Sequence, residues 1–172
     1  MRVLIFLFLT LLLSACVSPP PVGDVFSKVQ NDNEDLTTVY LYRPERNGSV
    51  VWPRVYINGE RIIELPINSY SYILLPPGEY QLRSPQVDYR SGEESTDPRY
   101  IHEAEFQITD EKELYLKFHF QETGPSQELV LVGSTPIFYN DPQGHFGWTV
   151  LESQAVPEDI KHCKIVLVSN AE

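Results

Sequence analysis

The sequence predicts a mainly β fold, a single antiparallel β-sandwich with one short C-terminal helix. From residue 37 onward, apolar and polar residues alternate in short runs rich in β-branched and aromatic side chains, which is typical of half-buried strands. Glycines and prolines that favour turns separate the runs. No stretch carries twelve or more residues of helical periodicity. These observations together favour two packed sheets over a helical or α/β fold.

The start of the chain, residues 1–15, is predicted to be a lipoprotein signal peptide. Arg2 precedes an apolar run over residues 3–13, and the letters LSAC then end at Cys16. A helix of about eleven residues covers only half of a hydrocarbon core about 30 Å thick, so this run is too short for a permanent span. The thiol of Cys16 can carry a thioether-linked diacylglycerol, and Cys16 is therefore the predicted lipidation site.

Residues 16–36 are predicted to be a lipidated, flexible tether. Three consecutive prolines stiffen residues 19–21, residues 31–35 are polar and acidic, and too few apolar residues are present for the segment to fold alone. Two or three acyl chains hold a protein durably, so the protein is expected to be tethered to a membrane without spanning it. By resemblance to lipoproteins of diderm bacteria, Val17 favours the periplasmic face of the outer membrane, because an aspartate there usually retains a lipoprotein in the inner membrane.

The charge of the chain limits its partners. The 172 residues carry 13 Lys and Arg against 24 Asp and Glu, a formal net charge of −11. Without residues 1–15 the chain loses Arg2, which leaves 12 basic and 24 acidic residues and a net charge of −12. Nucleic acid is not an expected partner because the basic residues are scattered. The length suits one domain, predicted at residues 37–170.

The first half of this domain is predicted to contain two hairpins. After a strand from residue 37, residues 54–57 and 60–63 flank Asn58-Gly59, a dipeptide that tolerates the positive φ of a tight turn. Residues 69–75 and 79–83 are predicted to pair across Pro76-Pro77-Gly78, with Gly78 at positive φ in a type II turn.

The second half is predicted to contain a long mobile loop, further strands and the helix. The loop occupies residues 84–99, which are polar and charged. Residues 104–108 and 114–120 form the clearest predicted antiparallel pair. The remaining predictions are strands at 127–132, 136–139, 148–152 and 164–168, a glycine-rich loop at 140–147 and a helix that starts at 157–159.

Three motifs resemble a family of bacterial lipoproteins known as the domain of unknown function 2846 family. They are VYLYRP at residues 39–44, PRVYING at residues 53–59 and LPPGEY at residues 75–80. The second and third motifs are also similar to the PEGA module, whose glycine turns join strands of a β-sandwich in envelope proteins. The resemblance covers roughly residues 36–153 and implies a β-sandwich without assigned catalytic residues. The chain departs from the family in the longer loop at 84–99 and at residues 110–112, where a glycine turn is usual.

Tyrosines of the first strands form a candidate binding face. A tyrosine ring buries a large area at low entropic cost while its hydroxyl stays hydrated, which suits recognition of a protein or a glycan. The alternative is that these rings only line the rims of a small sandwich. The candidate residues are Tyr40, Tyr42, Arg43, Tyr56, Tyr70 and Tyr72.

Other candidate chemistry is weaker. His162 and Cys163 are adjacent, but neighbouring side chains rarely meet as a catalytic dyad, and a structural cysteine is the preferred interpretation. Ser134 lacks the context of a nucleophile elbow, and Glu93-Glu94 lies in the predicted mobile loop. No metal or cofactor is predicted, because the histidines match no known ligand spacing. The histidines are His102, His119, His145 and His162.

The expected role is therefore that of a non-catalytic binding or scaffolding module of the cell envelope. The membrane, through the lipid anchor, and an envelope protein or glycan are the expected partners. One alternative is a glycan or peptidoglycan binder, which should show exposed aromatic rings in a groove. A hydrolase is the other alternative, and it should show a pocket with a perturbed histidine or carboxylate.

Overall fold

The structure is a computed structural model that describes residues 23–44, 52–88, 91–132, 135–151 and 155–167, and only the backbone of residues 122–144. Within these residues the chain is mainly β, which confirms that part of the prediction, and its two 3-10 helices span Pro98–Tyr100 and Asp159–His162. The strands are β1 (Thr37–Arg43), β2 (Trp52–Ile57), β3 (Glu60–Glu64), β4 (Ser69–Leu75), β5 (Gly78–Val87), β6 (Ile101–Ile108), β7 (Glu113–Val132), β8 (Thr135–Leu151) and β9 (Lys164–Ile165).

The strands form two sheets. The five-stranded sheet has the order β8-β7-β1-β4-β9, and the four-stranded sheet has the order β3-β2-β5-β6. In the five-stranded sheet β1 is parallel to β7 and β4 is parallel to β9. The prediction of a purely antiparallel arrangement is therefore wrong for this sheet. Both parallel pairs join strands that are distant in sequence, because a parallel pair needs a long connection that a tight turn cannot supply.

The hairpin predicted at Asn58-Gly59 is confirmed. β2 pairs antiparallel with β3, with Arg54 opposite Glu64. Asn58 has a φ of 48° and Gly59 a φ of 80°, so both turn residues are in the left-handed region that a two-residue hairpin requires. This element is predictable because its geometry depends on local backbone preferences.

The other two predicted pairs are wrong because the chain changes sheets at both places. β4 belongs to the five-stranded sheet and β5 to the four-stranded sheet, with Pro76-Pro77 between them. A proline has no N–H to donate, so strand pairing does not continue through this link. β6 and β7 likewise belong to different sheets. Gly78 begins β5 and is not among the glycines with positive φ, so the predicted type II turn is also wrong.

Two predicted loops contain strand residues in the structure, four residues of the first and all of the second. β5 extends to Val87, and Ser84, Pro85, Gln86 and Val87 are buried. After Val87 the chain leaves the strand, and it is held near the sheet where Val87 bridges Glu94. Residues 140–147, predicted to be a loop, are part of β8. The backbone of β8 pairs with β7 throughout this region. The predicted C-terminal helix is one 3-10 turn at Asp159–His162.

One hydrophobic core draws on both sheets. β1 contributes Val39 and Leu41, while β5 and β6 contribute Leu82 and Phe106. Trp148 of β8 lies in the same cluster and donates a 2.7 Å hydrogen bond from Nε1 to Ser84 Oγ of β5. This buried bond adds a directional contact between the sheets to the non-directional burial of apolar surface.

Residues 23–36, here called the N-terminal strap, lie against the five-stranded sheet. Val25 bridges Lys164 of β9, and the Phe26 N–H donates to the Cys163 carbonyl at 2.9 Å. The Phe26 ring meets the rings of Tyr40 and Tyr70 edge to face, at centroid distances of 5.4 and 5.1 Å. The predicted flexible tether at 16–36 therefore differs from the structure over residues 23–36, where apolar side chains contact the domain, and residues 16–22 lie outside the described residues. Residues 23–36 therefore pack against the domain predicted at residues 37–170.

Candidate functional site

The outer face of the five-stranded sheet, here called the covered face, holds half of the predicted tyrosine face. Tyr40 and Tyr42 are 0% exposed and Tyr70 is 1% exposed. They form a second cluster with residues of the N-terminal strap and of the segment 155–163, which lie over them. Rings buried in this way do not contact a partner, so the prediction of an exposed tyrosine face is wrong for these three residues.

The other three residues of that prediction do not share a surface. Arg43 is 2% exposed and lies on the core side of β1, in alternation with Tyr42. Tyr72 is half-buried on the same side of β4 as Tyr70. Tyr56 is half-buried and belongs to β2, in the other sheet. The six candidates therefore divide among the interior, the covered face and the outer face of the second sheet.

Arg43 is an interior cation held among aromatic rings. Its guanidinium carbon lies 5.7 Å from the ring centroids of both Phe118 and Phe146. Burial lowers the pKa of Arg43 to about 10, so the side chain stays charged at neutral pH. A desolvated cation over aromatic faces gains electrostatic attraction from the rings. Arg43 therefore links β1 to β7 and β8 within the core.

The tyrosine hydroxyls hold the covering segments in place. Tyr40 Oη accepts a hydrogen bond from the Val29 N–H at 2.9 Å, and Tyr42 Oη donates to Asp159 at 3.1 Å. Burial, reinforced by the nearby carboxylate of Asp159, raises the pKa of Tyr42. These polar atoms are satisfied by the strap and by the C-terminal segment, which is what burial of a phenol requires.

Cys163 is a structural residue. It is 0% exposed, and its thiol lies 3.7 Å from the Asp159 carbonyl oxygen. Burial and the carboxylate of Asp159 raise the pKa of Cys163 to about 12, so the thiolate needed by a nucleophile is not populated at neutral pH. His162 is exposed while Cys163 is buried, which agrees with the expectation that the two side chains do not form a dyad.

The four histidines form no common cluster, although His145 lies near enough to His102 to add to the lowering of its pKa by burial. His102 is half-buried, its Nε2 lies 3.0 Å from Gln86 Nε2, and burial lowers its pKa. His119 Nε2 bonds Thr149 Oγ1 at 2.9 Å. Among the described residues, no group of three or more metal-ligating side chains lies together. Cys16 and Ser134 lie outside the described residues.

The outer face of the four-stranded sheet, here called the open face, is rich in charge. Alternation along β2, β5 and β6 sends Val55, Leu82 and Phe106 to the core and their neighbours outward. Arg83 lies opposite Glu103 across β5 and β6, with a 3.9 Å separation between Nε and Oε1. The outward residues that define this face are Arg54, Tyr56, Gln81, Arg83, Glu103 and Glu105.

A hydrogen-bonded network fixes one side of the open face. Arg54 Nη2 donates to Glu64 at 2.6 Å, and Arg54 Nη1 donates to Glu94 at 3.0 Å. The Tyr56 hydroxyl also donates to Glu94. Burial alone would raise the pKa of Glu94, but the hydrogen bonds from Tyr56 and Arg54 outweigh it and lower this pKa. The network holds the end of the loop after β5 against the sheet.

A groove beside this network has a volume of about 490 Å³. Its charged lining is three carboxylates, Glu94, Glu103 and Glu105, and one guanidinium, Arg83. A neighbouring hollow of about 520 Å³ shares Glu105 and adds Glu79. Among the described residues, no ion pair neutralises Glu79 or Glu105. The groove therefore favours a cationic group over an anion.

Most residues that line the groove are not predicted from the sequence to bind a partner. Glu94 falls in the predicted mobile loop, and Arg83, Glu103 and Glu105 receive no role. A signal for them exists in the polar positions of two strands, where Arg54 and Tyr56 are two residues apart and so are Glu103 and Glu105. Such spacing places each pair on one face of a strand, but the pairing of β5 with β6 is needed to bring the faces together.

No protein-family model, curated protein or solved structure matches the chain. In the part of the chain that the structure describes, no helix has both the length and the apolar character needed to cross a membrane.

Proposed function

We propose that the protein is a membrane-tethered lipoprotein of the bacterial cell envelope, whose β-sandwich domain is a non-catalytic binding or scaffolding module. Residues 1–15 act as the signal peptide, and lipid on Cys16 holds the chain at the periplasmic face of the outer membrane. The order of Arg2, apolar run and Cys16 supports the anchor. The core shared by both sheets supports the sandwich. The motifs that resemble the domain of unknown function 2846 family fit the same role.

The difference between the two outer faces carries the proposal of binding. The strap and the C-terminal segment occupy the covered face, whereas the open face presents polar side chains around a groove. Charged groups that are fixed before binding lose little conformational entropy when a partner arrives. Glu94, held by Arg54 and Tyr56, is such a group. The open face is therefore the proposed binding surface.

The proposed partner is an envelope protein that presents a cationic segment. Carboxylates outnumber cations around the groove, and the whole chain carries a net charge of −11. Complementary charge accelerates association and selects among partners more than it adds affinity. The partner should therefore dissociate as the salt concentration rises.

Position-specific photo-crosslinking in intact cells tests this proposal. A photoreactive residue replaces Gln81 on the open face or, as a matched control, Leu74, which is 38% exposed on the outer side of β4. We expect a discrete protein adduct from position 81 and not from position 74. Identical adducts from both positions would contradict a binding role for the open face.

A charge-reversal pair sharpens the test. Glu103→Lys combined with Glu105→Lys should abolish the adduct at position 81, because the groove then repels a cation. Asp32→Lys combined with Asp35→Lys changes the net charge equally on the exposed side of the strap and should leave the adduct intact. Equal loss in both double variants would show that total charge, and not the groove, controls association.

The anchor has a separate test. Cys16→Ser removes the only group that can form the thioether, so labelled palmitate should mark the wild-type protein and not the variant. Incorporation of label into the Cys16→Ser protein would contradict the proposed lipidation.

A glycan is the second candidate partner, because Tyr56 and Gln81 line the groove beside its carboxylates. Aromatic rings and planar polar groups suit the faces and hydroxyls of sugars. Sedimentation with isolated sacculi distinguishes the two partners. Co-sedimentation that is lost in Tyr56→Ala and persists at high salt would favour the glycan over the cationic protein.

A further inference from the structure

The two ends of the five-stranded sheet differ in which chain segments they hold. Thr37 of β1 pairs with Leu75 of β4, and β7 begins beside Thr38, so these residues mark one end, here called the distal end. Arg43 pairs with Ser69, and Ser69 pairs with Lys164 of β9, which marks the opposite end, here called the anchor end. Seven residues at about 3.3 Å per residue separate the two ends by about 20 Å.

The N-terminal strap runs along the covered face from the anchor end to the distal end. At the anchor end, the Ile165 N–H donates to the Asp24 carbonyl at 2.9 Å, next to the bridge between Val25 and Lys164. At the distal end, Lys112 Nζ donates to the Glu34 carbonyl at 3.1 Å. The chain therefore reaches Thr37 only after crossing the sheet from the opposite end.

This course changes how the lipid would hold the domain. An unbound tether of 21 residues, 16–36, would reach as far as about 75 Å and attach at the distal end. With the strap in place, only the segment 16–22, seven residues including the lipidated Cys16, precedes Gly23 at the anchor end. Seven residues reach at most about 25 Å, and three of them are prolines.

We infer that the anchor end of the five-stranded sheet faces the lipid surface that holds the protein, and that the distal end points away from it. This inference rests on the proposed lipidation of Cys16. The occupant of the anchor end is the bilayer itself, because turning the domain over would require the linker, with its reach of about 25 Å, to be almost fully extended across the distance of about 20 Å between the two ends.

The chemistry of the two ends agrees with this orientation. At the anchor end Val25 is 60% exposed and bridges Lys164, which is exposed, as is the neighbouring Asp24. An apolar side chain beside a cation suits the interface of a bilayer that contains anionic headgroups. At the distal end Asp110 and Glu111 are two carboxylates near the start of β1 beside one cation, Lys112, and headgroups of like charge would repel the excess negative charge.

In this orientation the proposed binding groove lies away from the membrane. Leu75 at the distal end leads through Pro76-Pro77 to Gly78, which pairs with Ile108 at the end of β6. Glu79 and Glu105, which line the two hollows of the open face, are therefore nearer the distal end than the anchor end. A partner in the periplasm would reach them without competition from the membrane.

Depth-dependent fluorescence quenching tests the inference on the lipidated mature chain, reconstituted in phosphatidylethanolamine and phosphatidylglycerol vesicles that carry a headgroup quencher. Fluorophores are attached through Val25→Cys at the anchor end or Asp110→Cys at the distal end. Cys163 is buried and Cys16 carries lipid, so the new thiol is the one labelled. We expect quenching at position 25 several-fold stronger than at position 110. Equal quenching, or stronger quenching at position 110, would overturn the orientation.

A longer linker supplies the matched control. Insertion of 20 glycine and serine residues between Ser18 and Pro19 keeps the anchor and the domain, and it should reduce the difference between the two positions while thermal stability stays unchanged. A difference that persists in full would overturn the role of the seven-residue linker.

Flotation of the same vesicles separates this inference from the proposed function. Wild-type protein that fails to float with lipid would contradict the anchor, and with it the orientation. Wild-type protein that floats, with a Cys16→Ser variant that does not, supports the anchor, and the quenching ratio then decides the orientation alone.

Discussion

The two outer faces of this protein differ in what covers them, although the strands beneath have similar sequence patterns. β1 and β2 both alternate aliphatic residues with tyrosine or charged residues. On the five-stranded sheet the alternate residues Tyr40 and Tyr42 are 0% exposed, whereas Tyr56 on the four-stranded sheet is half-buried and lies beside an open groove. The difference comes from segments distant in sequence, so an alternating strand identifies two faces without identifying the solvent-exposed one.

The largest expected effect that separates the faces is the loss of a covered ring. Tyr40→Ala should cost about 3 to 5 kcal/mol of unfolding free energy, because it empties a buried site and leaves the Val29 N–H without its partner. Tyr56→Ala on the open face should cost about 1 kcal/mol. Urea unfolding of both variants measures the contrast, and equal costs would remove the distinction between the two faces.

A smaller effect is expected when the cover is weakened. Phe26→Ala should cost about 2 kcal/mol, less than a fully buried ring, because Phe26 is half-buried over Tyr40 and Tyr70. Gln30→Ala on the exposed side of the strap is the matched control and should change stability by about 0.5 kcal/mol or less. Thermal and urea unfolding check both variants. If Phe26→Ala behaved like the control, the strap would contribute nothing to the fold.

Alkaline pH should also lower the stability that the covered face contributes. Burial and Asp159 raise the pKa of Tyr42 above its ordinary value of about 10, so the unfolded chain loses this proton before the folded chain does. The resulting stability is complete below pH about 10 and falls as pH rises, by about 1.4 kcal/mol per pH unit for one such group. Melting temperatures between pH 8 and pH 11 should fall less steeply in Tyr42→Phe. An unchanged slope would show that Tyr42 ionises freely in the folded protein.

The smallest effect concerns two glycines. Gly59 has a φ of 80°, so Gly59→Ala should cost about 1 to 2 kcal/mol. Gly78 has no positive φ, and an added Cβ would meet the Tyr80 ring at ordinary contact distances of 3.6 Å or more, so Gly78→Ala should cost about 0.5 kcal/mol or less. Thermal unfolding of both variants checks this contrast. Equal decreases in melting temperature would contradict the difference in backbone conformation between Gly59 and Gly78.

The elements that sequence predicts correctly are local. Asn58-Gly59 requires left-handed backbone at two adjacent residues, and this requirement alone positions β2 against β3. The period-two runs likewise predict strands, because the alternation reports on one strand at a time.

The elements that sequence misses depend on distant contacts. Pro76-Pro77 can end a hairpin or carry the chain between sheets, and only the partners of β4 and β5 decide which occurs. Phe26, in a segment with few apolar residues, packs because the pairing of β1 with β4 brings Tyr40 and Tyr70 together as diagonal neighbours. The groove is missed for the same reason, since Arg83 and Glu103 become neighbours only through the pairing of β5 with β6.

The burial of the covered face is tested most directly by amide hydrogen exchange, resolved by residue, in the chain from residue 16 carrying Cys16→Ser. The Phe26 N–H donates to Cys163 at 2.9 Å and the Val29 N–H donates to Tyr40 Oη at 2.9 Å, so both amides should exchange far more slowly than a free peptide. Gln30, whose side chain is exposed on the same strap, is an internal reference. Exchange at the rate of a free peptide at both Phe26 and Val29 would contradict the covered face. It would mean that the strap does not cover Tyr40 and Tyr70.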